Sequence, residues 1–547
     1  MPPIALALPV ALPVAAGALA VVANRLGSGA CRAIAAAGVW AGAAAIVGLW
    51  APLRSTLELS LGTLGFGVAL GLRLDAVAVV FGLALLIPIA ILLTVQPRTW
   101  QESAVIALAA GSALLATEAS DVVLTAVAGC TAATLVVIAL GIEDLDAPRP
   151  LWAILIAAWL VLAWAGVQLQ VTSGTAGYAV VPVSALTAPV FVLIAFAAAV
   201  GSGLYPWRGW ATRVWSRSSL RSAAISIALL QPLGLYLLFR AYEMGNGRYP
   251  QTILNVAVAL WGVLVAFGAA SRAQSAPTRR DYMAEVLPCL AGFAIVFAAV
   301  GSTLGLVAAL VILVSESLLV TSMPLADRPG PSSLLVTAAG TGMPAGLAFG
   351  GLLLGLAAAF EAGGALGLIG LAGVATWLLA AAAAARSIRL PSGAQPGDDA
   401  RPRLAALLAA LALAAGPALG IVFTVGYSAA NEVLPSSGPA PGLMSLATAS
   451  TVIPAVALLG PLLLVGAIAL VIARPTPGAA RSEVAPPLFH FPAAALAQRT
   501  WSAVRSASVP AQYRSLFNAH ALEAAVAAAR PVLWLTAVLA LCIAVTR

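Results

Sequence analysis

Residues 74–95 read LDAVAVVFGLALLIPIAILLTV. After Asp75 the run carries no charge, and about 20 residues suffice for a helix to cross a hydrocarbon core about 30 Å thick. It is apolar on every face, so it is not the amphipathic helix of a soluble surface. It does not alternate polar with apolar residues, which excludes a strand of a membrane β-barrel. The rest of the chain repeats this pattern. Of 547 residues 62% are hydrophobic and only 8% are charged, with a mean hydropathy of +1.04. A soluble globule needs a polar surface that this composition cannot supply. Soluble, fibrous and disordered classes are therefore excluded, and a polytopic all-α membrane protein remains.

Hydropathy predicts sixteen spans. They lie at about 4–23, 33–53, 74–95, 103–119, 121–141, 151–170, 188–205, 222–241, 252–271, 285–301, 304–323, 333–359, 365–385, 404–426, 449–473 and 531–546. Between the second and third, STLELSLGTLGFGVALGLRLD has glycines and threonines at turn-like spacing and predicts a short hairpin at the membrane surface. The 27 basic residues are all arginine. With alternate loops assigned to alternate sides, Arg54, Arg73, Arg240, Arg248 and Arg547 share the N-terminal side, and the other 22 lie opposite. The positive-inside rule then places both termini away from the cytoplasm. Residues 475–530 form the longest cytoplasmic segment, in which Leu496, Ala497, Thr500, Trp501 and Val504 share one face of an amphipathic helix. The net charge of +8, spread over many loops, suits anionic lipid headgroups better than nucleic acid.

The chemistry inventory is sparse. Cys31, Cys130, Cys289 and Cys542 are scattered, which suggests neither a disulfide framework nor a metal site. Nucleotide-binding, hydrolase and cofactor motifs are absent, so no cofactor is expected. Asp121, Glu285 and Glu361 sit near span ends and read as solvated boundary residues. Glu316, within LVAALVILVSESLLVTSM, is the carboxylate read deep inside a span, and a buried ionisable residue marks a functional position. His490 and His520 fall in the cytoplasmic segment. A chain without lysine or membrane histidine is poorly equipped for a side-chain proton relay, because arginine does not exchange its proton near neutral pH.

Several short motifs carry a resemblance. Leu74-Asp75-Ala76 is similar to an LDxLSxxF opening of a third span. Pro206-Trp207-Arg208-Gly209-Trp210 follows the seventh span, where the pattern is Pro-x-His-x-Trp. Gly234-Leu235-Tyr236-Leu237-Leu238-Phe239-Arg240 is similar to GVYLLAR. Thr278–Gly292 lies at DLKRLLAYSTISQLG, with Arg280 at the lysine, and Gly342-Met343-Pro344 with Phe349 resembles GxPPxxGF. Together, over roughly residues 70–360, they resemble the antiporter-like membrane subunits of respiratory complex I, Mrp antiporters and group-4 membrane-bound hydrogenases, above all the largest, sixteen-span type.

The resemblance implies an antiporter-like fold with two inverted five-helix repeats at spans 4–8 and 9–13, each with a broken helix. It also implies a degenerate member. The relay glutamate of the fifth span falls at Gly129-Cys130, and the lysines of the seventh, eighth and twelfth spans fall at Gly201, Pro232 and Leu352. The expected division is 1–73 for two spans and the hairpin, 74–403 for the antiporter-like core, 404–474 for two spans, 475–530 for the cytoplasmic segment and 531–547 for the last span. The reading is a mainly structural subunit of a respiratory NADH/quinone-type or hydrogenase-type complex, partnered by other membrane subunits and lipids. A proton or cation channel subunit, including one of a carbon-uptake complex, and an independent secondary transporter are the alternatives. Candidate intramembrane functional residues are Glu316, Arg208, Arg240 and Arg280, with Arg208 or Arg280 expected to tune Glu316.

Overall fold

The computed structural model describes residues 3–434 apart from 53–54, 64–68, 96–98, 143–148, 327–330, 341, 343–345, 388–389, 392–400 and 414–415. The helices are α1 (Leu8–Val22), α2 (Ser28–Trp50), α3 (Ala76–Val95), α4 (Trp100–Glu118), α5 (Val122–Ile142) and α6 (Arg149–Ser173). They continue with α7 (Ala188–Gly201), α8 (Gly209–Arg217), α9 (Leu220–Met244), α10 (Thr252–Ser275), α11 (Arg279–Ala299) and α12 (Thr303–Ser322). Last come α13 (Pro331–Gly340), α14 (Leu347–Ala362), α15 (Gly364–Ser387), α16 (Pro402–Leu413) and α17 (Gly416–Val433). Ten of the described helical segments are long and apolar enough to cross a membrane. The chain is a multi-pass membrane protein.

Local sequence explains where the helices start. Thr99, Ser219, Thr278 and Ser302 each precede a helix, and each side-chain oxygen accepts the backbone N–H three residues on, at Glu102, Ser222, Asp281 and Gly305. In a bilayer these otherwise orphaned amides would be costly, so the caps fix the helix ends. Small residues set the crossings. A Cβ on Gly262 would lie 2.8 Å from the Gly292 carbonyl oxygen, and one on Gly292 would lie 2.7 Å from that of Gly262, so α10 and α11 touch backbone to backbone.

The first fourteen expected spans all coincide with helices, and the seventh and twelfth are interrupted. The seventh stops at Gly201; the chain turns through Gly203, whose φ is +63°, and Pro206 before α8. The twelfth divides into α13 and α14 around Gly342, with φ +67°. Positive φ ends a helix, and glycine adopts it without a Cβ penalty. The fourteenth is covered by α16 and α17, on either side of residues 414–415. Spans fifteen and sixteen and the amphipathic segment lie outside the described residues, as do Cys542, His490 and His520.

The expected hairpin is present. β1 (Leu57–Thr63) pairs antiparallel with β2 (Ala69–Leu74), Leu57 facing Leu74, with an irregularity between Ser60 and Gly62. Its backbone network reaches further: Ser120 N–H donates to the Gly71 carbonyl at 3.0 Å, and Tyr178 N–H to that of Ser120 at 3.0 Å. The hairpin, residues 119–121 and residues 176–178 thus cap one end of the bundle. Beneath them α9 is the central post, its most apolar 18-residue window wholly buried and packed against α3, α4, α5, α7, α11, α12 and α17.

Candidate functional site

At the hairpin end, β2 delivers Asp75 to the N-terminus of α3, and the C-terminal part of α9, one turn before its end, delivers Arg240. Both are 0% exposed. The Arg240 guanidinium donates to the two Asp75 oxygens at 2.6 and 3.0 Å, to Glu243 at 2.6 Å and to the Tyr236 hydroxyl at 2.9 Å. Its charge also lies over the Tyr178 and Tyr236 rings, 5.4 and 5.0 Å from their centroids. Arg73 adds ion pairs to Asp75 and Glu243. Burial by itself would push the Asp75 carboxyl up; the Arg240 and Arg73 charges, the Arg240 hydrogen bonds and the Ala78 N–H together outweigh it and hold Asp75 below its ordinary value.

Asp75 also caps α3, accepting from the Ala78 N–H at 2.8 Å. Glu432 reaches in from α17 to accept the Ala76 N–H at 2.8 Å. Helices far apart in sequence are therefore fastened by two guanidinium groups and several carboxylates. Of this cluster the sequence reading singled out Arg240; Asp75 entered only as a motif letter, and Glu243 and Glu432 were missed. An acid at each of two span ends, with Arg73 and Arg240 on the same side, is the signal that was available.

Asp121 is not a solvated boundary residue. It is 2% exposed, caps α5 through the Leu124 N–H at 2.8 Å, and burial pushes its carboxyl up to about 6.

Glu316 lies in α12, six residues before its end, about 9 Å along the axis from the arginine-rich end. It is 6% exposed, and its Oε1 accepts from the Gln231 amide of α9 at 2.5 Å. Next to it a cavity of about 10 Å³ is lined by Ala84, Pro232, Leu313 and Ser317 among others, room for about one water. The neighbouring Ser317 hydroxyl donates to the Ala84 carbonyl at 2.9 Å, tying α12 to α3. Glu316 is therefore matched to a carboxamide, not to a second acid or base. Nor is it alone: Glu118 in α4 and Glu102, paired with Arg221 at 2.7 Å, are also buried.

Arg208 and Arg280 serve other partners than the expected Glu316. Arg208 donates to Glu285 at 2.6 Å and to the Ala284 carbonyl at 3.0 Å, and Arg272 shares the same carboxylate at 3.1 Å. Glu285, expected in solvent, has a side chain only 12% exposed. Arg280 donates to the carbonyls of Trp215, at 2.8 Å, and Ser218. The two guanidinium groups thus clamp α8 onto α11: Arg208, just before α8, takes the Ala284 carbonyl that Pro288 leaves without a donor, and Arg280 takes carbonyls left open at the C-terminal end of α8.

The four positions where relay residues were expected are packing positions. Gly129, beside Cys130, closely meets the Trp159 ring, and a Cβ on Gly201 would stand 3.5 Å from the same ring. Pro232 lines the Glu316 cavity. Leu352 is 1% exposed and packs at the turn of Gly342. Among the described residues no group of three or more His, Cys, Asp or Glu gathers as a metal site would require.

This arrangement of helices recurs in solved structures. A chain of the Mrp complex from Dietzia sp. DQ12-45-1b superimposes with a TM-score of 0.70 over 92% of this chain at 22% identity. A chain of respiratory complex I from Thermus thermophilus with bound NADH superimposes with a TM-score of 0.65 over 80% of this chain at 19% identity, covering 100% of that chain. The fold is antiporter-like. This chain spans 59% of the length of the Mrp-complex chain. No family profile and no curated protein matches by sequence.

Proposed function

We propose that the chain is a membrane subunit of a multi-subunit complex of the complex I or Mrp kind, or of a hydrogenase-type relative, and that its part in it is mainly structural. The observation that carries this is the Glu316 cavity. Pro232 lines it, where the motif resemblance places a lysine, and the acid there is held by the carboxamide of Gln231. An amide neither gains nor loses a proton near neutral pH, so Glu316 has no neighbour in that bond to pass a proton on to. The arginines that replace titratable residues, Arg208 and Arg280, fasten helices instead of exchanging protons. Loss of the relay leaves assembly as the reason to keep so large a fold.

Affinity purification of the tagged chain in mild detergent is expected to bring other membrane subunits with it in fixed ratio. A monomer that moves a solute into liposomes unaided would favour the independent transporter instead. The reading also places both termini outside the cytoplasm, on the 22-to-5 division of arginines. Alkaline phosphatase fused after Arg547 is expected to be active and a fluorescent reporter there dark; the reverse result would mean that the span count is off by one.

A further inference from the structure

One buried acid is used by none of the interactions above. Glu118 ends α4 and is 0% exposed, and neither of its carboxylate oxygens has a hydrogen-bond partner among the described residues. The other buried carboxylates are all matched: Asp75 to Arg240 and Arg73, Glu102 to Arg221, Glu316 to Gln231, and Asp121 to a helix N-terminus. Glu118 lies two turns beyond Gly111 on the same face of α4, the face whose Gly111 meets Val14 of α1. It is also next to Ala119, which bridges to Leu72 of the hairpin.

Little around it can neutralise a charge. From Ile4 to Val22 the facing α1 segment has no titratable side chain. On the hairpin, Arg73 is committed to Asp75 and Glu243, and Glu58 is itself acidic. Arg240 of α9 is bound to Asp75, Glu243 and Tyr236. Asp121 on the same linker caps α5, whose only ionisable side chain is Cys130; Tyr236 of α9 gives its hydroxyl to the Thr117 carbonyl; α2 carries Arg32 at its far end, and α3 has no ionisable residue.

We propose that Glu118 is a proton-binding site that exchanges its proton with the aqueous phase at the hairpin end. An ionised carboxylate with no donor does not persist in such surroundings, so the resting group is the neutral acid. A metal cation is a poor alternative occupant, because hard cations need several oxygen ligands and, among the described residues, no cluster of acidic, His or Cys side chains gathers there. Position supplies the exchange route. Glu118 is the last residue of its helix, separated from water by the hairpin and the linker 119–121 and not by a helix-length of hydrocarbon.

Infrared spectroscopy of the full chain, purified with its accompanying subunits and returned to lipid, tests this. The expected result is a protonated-carboxyl stretch that is lost in Glu118→Gln, kept in Glu316→Gln, and reversibly diminished in the wild type as the pH of the aqueous phase is raised. Should Glu118→Gln fail to assemble, Glu118→Asp is expected to shift the band instead of removing it. Dicyclohexylcarbodiimide gives a second readout. It adds whole across the O–H of a neutral carboxyl, rearranging to an N-acylurea with no leaving group, and labelling of Glu118 is expected to fall about tenfold per pH unit above the midpoint. Absence of any band or label assignable to Glu118 would mean that it is ionised, and would overturn the proposal. A band that persists unchanged at every pH would mean a sealed structural acid, and would overturn it equally.

Discussion

Replacing Arg240 with methionine is expected to destabilise the chain by about 3–5 kcal/mol, the loss typical when one partner of a buried ion pair is removed. The change strands Asp75, which is fully buried at the start of α3, and takes a donor from Glu243. It also removes the charge lying over the Tyr178 and Tyr236 rings. Arg73 still contacts Asp75, which limits the damage but does not restore the bidentate geometry. Thermal unfolding in detergent is the readout. The double variant Asp75→Leu with Arg240→Met removes both charges and is expected to recover much of the loss; if it is as unstable as the two single variants added together, the two side chains do not act as a pair.

Gly234→Val is expected to have an effect at least as large, of a different kind. Gly234 faces α7 at the turn before the helix breaks, and a Cβ there would overlap the Ser202 Oγ and the Ala198 carbonyl oxygen. A backbone carbonyl inside a helix cannot step aside, so α7 must move away from α9. We expect little folded protein to be recovered, with Gly234→Ala intermediate. Wild-type yield and melting temperature for Gly234→Val would show that the α7–α9 contact is looser than the structure has it.

These two positions belong to one short motif, and the motif shows what the sequence made legible. In Gly234–Arg240 the glycine seats α7, Tyr236 donates to the Thr117 carbonyl at 2.8 Å, and Arg240 reaches Asp75. Its resemblance to a known pattern identified the fold, and hydropathy placed the helices, because both signals are local. The long-range partners of this cluster were not legible: Asp75, which Arg240 grips, is 165 residues away, and Glu432, which accepts the Ala76 N–H, comes from the last described helix. Glu118 and Asp121 were misread or missed because a carboxylate at a span end is normally in water, and only the hairpin packed over that end buries them. The helix breaks at Gly203 and Gly342 lie within apolar runs that hydropathy averages over. Arg208 and Arg280 were expected near Glu316 since all three were unexplained charges; the structure gives the arginines the Glu285 carboxylate and open carbonyls instead.

On the proposal above, the chain supports a complex without relaying protons through α9 and α12. Proton pumping by the reconstituted complex carrying Glu316→Gln tests it most directly. A glutamine keeps the size and the hydrogen bond to Gln231 while removing the proton-exchanging group. Pumping within about twofold of the wild type, with subunit composition unchanged, is the expected result. Pumping abolished in a complex that is fully assembled would contradict the account and make Glu316 part of a working proton path.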